Sequence, residues 1–139
     1  MAYDSAREVV VLYSRGSGNG NQRQTHEWDG TGWTLRTPKT SPPSLYAHAM
    51  AYDSFRGRTV LFGGQVANNK HSNETWEWDG MNWTEMKPST SPPPTGLCAM
   101  AYDSSRRRTV LFGGRTSAGY TSATWEWDGT NWAEIKPAD

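Results

Sequence analysis

An all-β fold, made of small four-stranded antiparallel sheets set side by side, is predicted by three observations. The first is self-similarity. "MAYDS" begins at Met1, Met50 and Met100, and "EWDG" at Glu27, Glu77 and Glu126, a period of 49–50 residues. A period near 50 points to a propeller-type array. The second is strand-like alternation in each copy, as in "TWEWDG" from Thr75, with no sustained helical period anywhere. The third is turn chemistry between the alternating runs: Asp-Gly pairs and proline-rich links at matching places.

Each unit reads as four strands in order. "HAMAYD" from His48 alternates and supplies the first. "YDSFRGR" follows as a turn in which Asp53 bonds the backbone ahead of it. "TVLFGG" is β-branched, then aromatic, and ends at Gly63-Gly64 as the second strand. In the third, Trp76 and Trp78 share one face and Thr75, Glu77 and Asp79 the other. "WDGMNW" places Asp-Gly in a tight hairpin before the fourth strand, "WTEMKP". "PSTSPPPT", Pro88 to Thr95, cannot donate a full ladder and suits a crossing from an outer edge strand to the next unit. One domain over 1–139 is expected, with units at about 1–38, 46–88 and 96–137.

Leu, Ile, Val and Phe together number only 16 of 139 residues, a composition that on its own suggests disorder. A formal net charge of zero and the presence of eight Trp and six Tyr oppose that, because each buried aromatic hides roughly 150–250 Å². The neutral balance carries no nucleic-acid signature, and Arg106-Arg107-Arg108 beside Asp103 reads as solvated or locally paired. The single Cys98 excludes an internal disulfide. No run reaches the roughly 18 apolar residues of a membrane helix, so no membrane insertion is expected. "MAYDSAREVV" lacks the layout of a signal peptide, so an export signal is expected only outside this chain.

The paired Gly63-Gly64 and Gly113-Gly114, each followed about a dozen residues later by an aromatic-Asp strand and a Trp, resemble the kelch repeat of β-propellers. The resemblance covers nearly the whole chain. It departs from the family in two ways. Trp78 and Trp83 are separated by four residues where the family has six, and in the first copy Ser14-Arg15 and His26 replace the Gly pair and the first Trp. The fold it implies is a β-propeller of kelch-like blades, three per chain.

A four-stranded blade exposes two faces and needs a neighbour on each. Trp28, Trp33, Trp76, Trp78, Trp83, Trp125, Trp127 and Trp132 are therefore read as wedges between blades rather than as sugar-stacking rings. Glu27, Glu77 and Glu126 lie between these aromatics, and Arg7, Arg56 and Arg106 recur in register, so one Glu–Arg contact per blade is expected. A carboxylate present in every blade is structural rather than catalytic.

Closed propellers typically have four to eight blades. Three leave an apolar face at each end. Self-association is the favoured expectation, as a dimer forming a six-bladed ring. The alternatives are an open filament, or an excerpt of a larger secreted propeller enzyme of the galactose oxidase kind. Met1 lies in register with Met50 and Met100, which fits an excerpt.

Alternating strand direction puts the second turns and the linkers on one side of the array. The variable loops Gly16–Gln24, Gln65–Ser72 and Arg115–Ser122 lie there. The candidate surface, for a protein or glycan ligand, is Arg23, Tyr46, Asn69, Lys70, His71, Arg115 and Tyr120. His26, His48 and His71 lack a metal-ligand spacing, "GSGNG" lacks the ending of a phosphate loop, and no Ser-His-Asp arrangement is visible. Neither a cofactor nor catalysis is expected. His48 and Cys98 occupy equivalent positions and are candidates for the central channel.

Overall fold

The structure, a computed structural model, describes residues 1–16 and 22–138. The central part of the predicted loop Gly16–Gln24 therefore lies outside the described residues. The first sheet contains β1 (Ala2–Asp4), β2 (Val9–Arg15), β3 (Arg23–Trp28) and β4 (Trp33–Arg36). The second contains β5 (Ala49–Asp53), β6 (Arg58–Phe62), β7 (Thr75–Trp78) and β8 (Trp83–Met86). The third contains β9 (Ala99–Asp103), β10 (Arg108–Phe112), β13 (Thr124–Trp127) and β14 (Trp132–Ile135), with β11 (Arg115–Thr116) and β12 (Gly119–Tyr120) as a small hairpin between β10 and β13. All three sheets run in simple sequential order, every pair antiparallel.

Local chemistry sets each turn. Asp53 Oδ1 accepts from the backbone N–H of Phe55 and Arg56 at 3.1 and 3.0 Å, and Asp4 and Asp103 do the same in their sheets. Asp79 Oδ1 accepts from Met81 and Asn82 N–H, each at 2.8 Å, which closes a loop between the paired Trp78 and Trp83. The Gly pair has a steric cause. Gly63 and Gly64 both have positive φ, and a Cβ on Gly63 would sit 2.3 Å from the Thr95 carbonyl oxygen. In the first sheet Ser14-Arg15 extend β2 instead, pairing with Gln24 and Arg23.

Strand pleating gives each sheet two unlike faces, and unlike faces meet. Val11 and Tyr13 of the first sheet pack on Met50, Tyr52, Leu61, Trp76, Trp78 and Trp83 of the second. The far face of the second, with Ala49, Val60 and Phe62, packs on Leu111, Trp127 and Trp132 of the third. The innermost strands β1, β5 and β9 lie side by side. Among the described residues, only the second sheet has both faces covered, and no sheet closes back on another into a ring. No helix among the described residues is long and apolar enough to cross a membrane.

The proline-rich links are clipped to the turn of the following sheet. Asn82 Oδ1 accepts from Lys39 N–H, and Asn131 Oδ1 from Ser89 N–H, both at 2.7 Å. Gly32 occupies the same register position in the first sheet and carries no side-chain amide.

Candidate functional site

Two sets of residues are built with functional geometry: the polar hubs between sheets and a cleft on the loop side. At each hub an Asp holds an Arg and the Arg reaches a Glu. Arg7 Nε donates to Asp4 Oδ2 and Arg7 Nη1 to Glu27 Oε1, both at 2.7 Å. Arg56 joins Asp53 and Glu77 in the same way, and Arg106 joins Asp103 and Glu126. Indoles of the next sheet complete the buried hubs. Trp78 Nε1 donates to Glu27 at 3.0 Å and Trp127 Nε1 to Glu77 at 2.9 Å. Trp83 and Trp132 donate to Thr25 and Thr75 hydroxyls at 2.8 and 2.9 Å. Burial pushes the Glu27 carboxyl up, but bonds from Trp78, Arg7 and Arg36 outweigh it and leave it below its ordinary value. The Glu27 carboxylate is saturated with donors and held as an anion, and Glu77 is bonded in the same manner by Arg56 and Trp127, an arrangement that fixes structure rather than moves protons.

The outer face of the first sheet and the hub of the third differ from these two junctions. Trp33 is 49% exposed and Trp28 partly buried, because no sheet among the described residues lies against that face. Glu126 has Arg106 but no indole donor among the described residues. Sequence reasoning passed over Thr25 and Thr75 and, apart from Asp103 beside Arg106, the Asp residues that hold the arginines. Their recurrence at 25, 75 and 124, and at 4, 53 and 103, was the available signal.

The cleft lies between the second and third sheets, where isolated bridges join Tyr46 to Gln65, Gln65 to His71 and Gly96 to Arg115. It has a volume of about 730 Å³ and contains Tyr46, Asn69, Lys70, His71 and Arg115 from the predicted surface. Gln65, Thr116 and Ser117 of the same variable loops also line it, with Leu97 from the linker, and their residue types did not single them out. His71 fits flush because its neighbour is Gly96, where a Cβ would stand 2.9 Å from the His71 ring. Asn69 and Leu97 have positive φ at the rim. The structure does not bring Arg23 or Tyr120 into the cleft. Arg23 lies in a separate hollow of about 360 Å³ beside Arg36. Tyr120, 83% exposed, sits on the outer arm of the β11–β12 hairpin with Arg115 6.0 Å from its ring centre.

No group of three or more His, Cys, Asp or Glu among the described residues could hold a metal ion. His48 stacks edge-on to Tyr13, 5.6 Å between ring centres, and its buried Nδ1 has no partner. Burial, with the amino-terminal charge adding to it, pushes His48 down to about 4. Cys98, at the equivalent position, is pushed up to about 11 by burial and is therefore a poor thiolate. The unfolded chain takes up the His48 proton near pH 6.5 and the folded chain only near 4. This contribution to stability is therefore complete above about 6.5 and is lost as pH falls toward 4. Urea unfolding is expected to show roughly 2 kcal/mol less stability at pH 5 than at pH 8. His48→Cys should remove most of that difference; an unchanged pH dependence would place its source elsewhere.

No family model matches the chain, and no curated protein matches it. Among solved structures it is similar to the propeller protein YjhT, with TM-score 0.61 and 13% identity over 81% of this chain. The sheets resemble propeller blades. At this identity the likeness concerns the fold alone, and it does not single out the kelch type. The chain spans 38% of the length of that structure.

Proposed function

We propose that the chain is a noncatalytic, kelch-like propeller module that binds an acidic protein segment or acidic glycan in the cleft between the second and third blades. The observation that carries this reading is the charge of the cleft. Lys70 and Arg115 line it with His71, and among the described residues no carboxylate does. Its floor is fixed by strand-like bridges, and its rim belongs to variable loops on a rigid scaffold. The kelch assignment rests on the Gly63-Gly64 and Gly113-Gly114 pairs and the spacing that follows them.

The partial span of YjhT favours these blades as a portion of a larger propeller over the expectation of a self-contained ring of two copies. The enzyme side of that larger reading gains no specific observation from the described residues.

Binding to a panel of matched acidic and neutral peptides and glycans tests the proposal. The acidic members are expected to bind selectively, and the double substitution Lys70→Ala, Arg115→Ala to weaken them about tenfold or more. Arg23→Ala, in the separate hollow, should leave binding unchanged. Equal retention of neutral and acidic probes would refute the charge argument.

A further inference from the structure

We infer that the open Trp face of the first sheet docks on the open Glu face of the third sheet of a second copy. This rests on the blade reading of the sheets and is independent of the cleft. Both internal junctions use the same four contacts. An indole donates to Glu (Trp78 to Glu27, Trp127 to Glu77) and a second indole to Thr (Trp83 to Thr25, Trp132 to Thr75). An arginine lies on the glycine of the next turn. A Cβ on Gly80 would be 3.1 Å from Arg7 Cζ, and one on Gly129 2.7 Å from Arg56 Nε. A ring meets the second indole, Tyr13 with Trp83 at 5.5 Å and Phe62 with Trp132 at 5.2 Å.

The two ends of the array carry the separated halves of a third such junction. On the first sheet, Trp28 and Trp33 make no indole hydrogen bond among the described residues, and a Cβ on Gly30 would meet nothing within 4 Å. On the third sheet, Glu126 lacks its indole, Thr124 stands where Thr25 and Thr75 stand, and the Arg106 side chain is 56% exposed. Phe112, in register with the fully buried Phe62, is 54% exposed. Superposing the register pairs Trp28 with Glu126, Trp33 with Thr124 and Phe112, and Gly30 with Arg106. Every donor meets an acceptor, and the exposed aromatics meet each other.

A second copy is the occupant because this chain holds both halves of the contact. Gly32 adds to this. The internal junctions clip an incoming covalent link on Asn82 and Asn131, and the first sheet lacks that amide. Its Trp face is therefore suited to a partner that arrives without a linker.

The test uses one blocker for each end. Tyr3→Arg and Phe112→Arg alter residues 55% and 54% exposed here, whose register equivalents Tyr52 and Phe62 are buried. Native mass spectrometry at micromolar concentration should show the unmodified chain as multiples of 15.5 kDa. Each variant alone should be monomeric, its association weakened roughly 100-fold or more by an unpaired buried guanidinium. Their mixture should give one-to-one pairs and nothing larger, since each variant keeps one competent face. A monomeric unmodified chain, association of either variant alone, or failure of the mixture to pair overturns the proposal. Near-UV circular dichroism from the Trp78–Trp83 and Trp127–Trp132 pairs reports whether each variant is folded. Ala101→Arg, exposed where Ala51 is buried, is a second blocker of the same face. Ligand capture by the cleft, measured on monomeric Tyr3→Arg protein, stands or falls separately.

Discussion

Glu77→Ala is expected to remove about 3–5 kcal/mol of stability, a large share of the 5–15 kcal/mol typical of a domain. The side chain is 5% exposed and accepts from both Arg56 Nη atoms and from Trp127 Nε1. Removing it leaves both Nη groups of a guanidinium that is only 25% exposed without their acceptor, with Asp53 holding Nε alone, and leaves a buried indole N–H without a partner. Glu126→Ala deletes the same residue from the same register position, but its arginine is 56% exposed and no indole among the described residues reaches Glu126. Its loss should be a small fraction of the other. Urea midpoints of the two variants, taken with the chain held monomeric, make the comparison. Equal losses would show that the cross-sheet bond and its burial contribute nothing.

Trp127→Ala should cost about 3–5 kcal/mol, the usual loss when a buried aromatic leaves a cavity. Trp127 is 1% exposed, leans on Trp132 at 5.4 Å between ring centres, and donates to Glu77. Trp33→Ala, at 49% exposure, should cost the monomeric chain under about 1 kcal/mol. Thermal unfolding followed at a tryptophan band would separate the two. A Trp33 effect as large as that of Trp127 would mean that the first sheet's outer face is covered within the chain itself.

Much of the sheet architecture was legible because the same short pattern recurs. Alternation in "TWEWDG", Asp at each turn and the glycine pairs each dictate one local geometry, and repetition removes the ambiguity a single copy would leave. What could not be read was direction. The pattern places Trp76 and Trp78 on one face, but only packing shows that this face receives Glu27 and Thr25 from the sheet before it. The cleft was legible in part. Lys70, His71 and Arg115 were found because variable loops share a side, whereas Leu97 lines it through a linker bend with positive φ that its residue type does not announce. Arg23 and Tyr120 shared that side in the sequence but not the hollow, because loop side alone fixes no distance between loops.

Covered on both faces, the middle sheet alone satisfies Val60, Leu61 and Phe62 completely, each at 0% exposure. Cohesion in a stack of nearest neighbours is shared unequally, and the margins hold the least of it. Heat or denaturant should peel such a stack from the outside, with the centre the last layer to let go. An array that finds neighbours for its margins would lose that weakness at both ends at once.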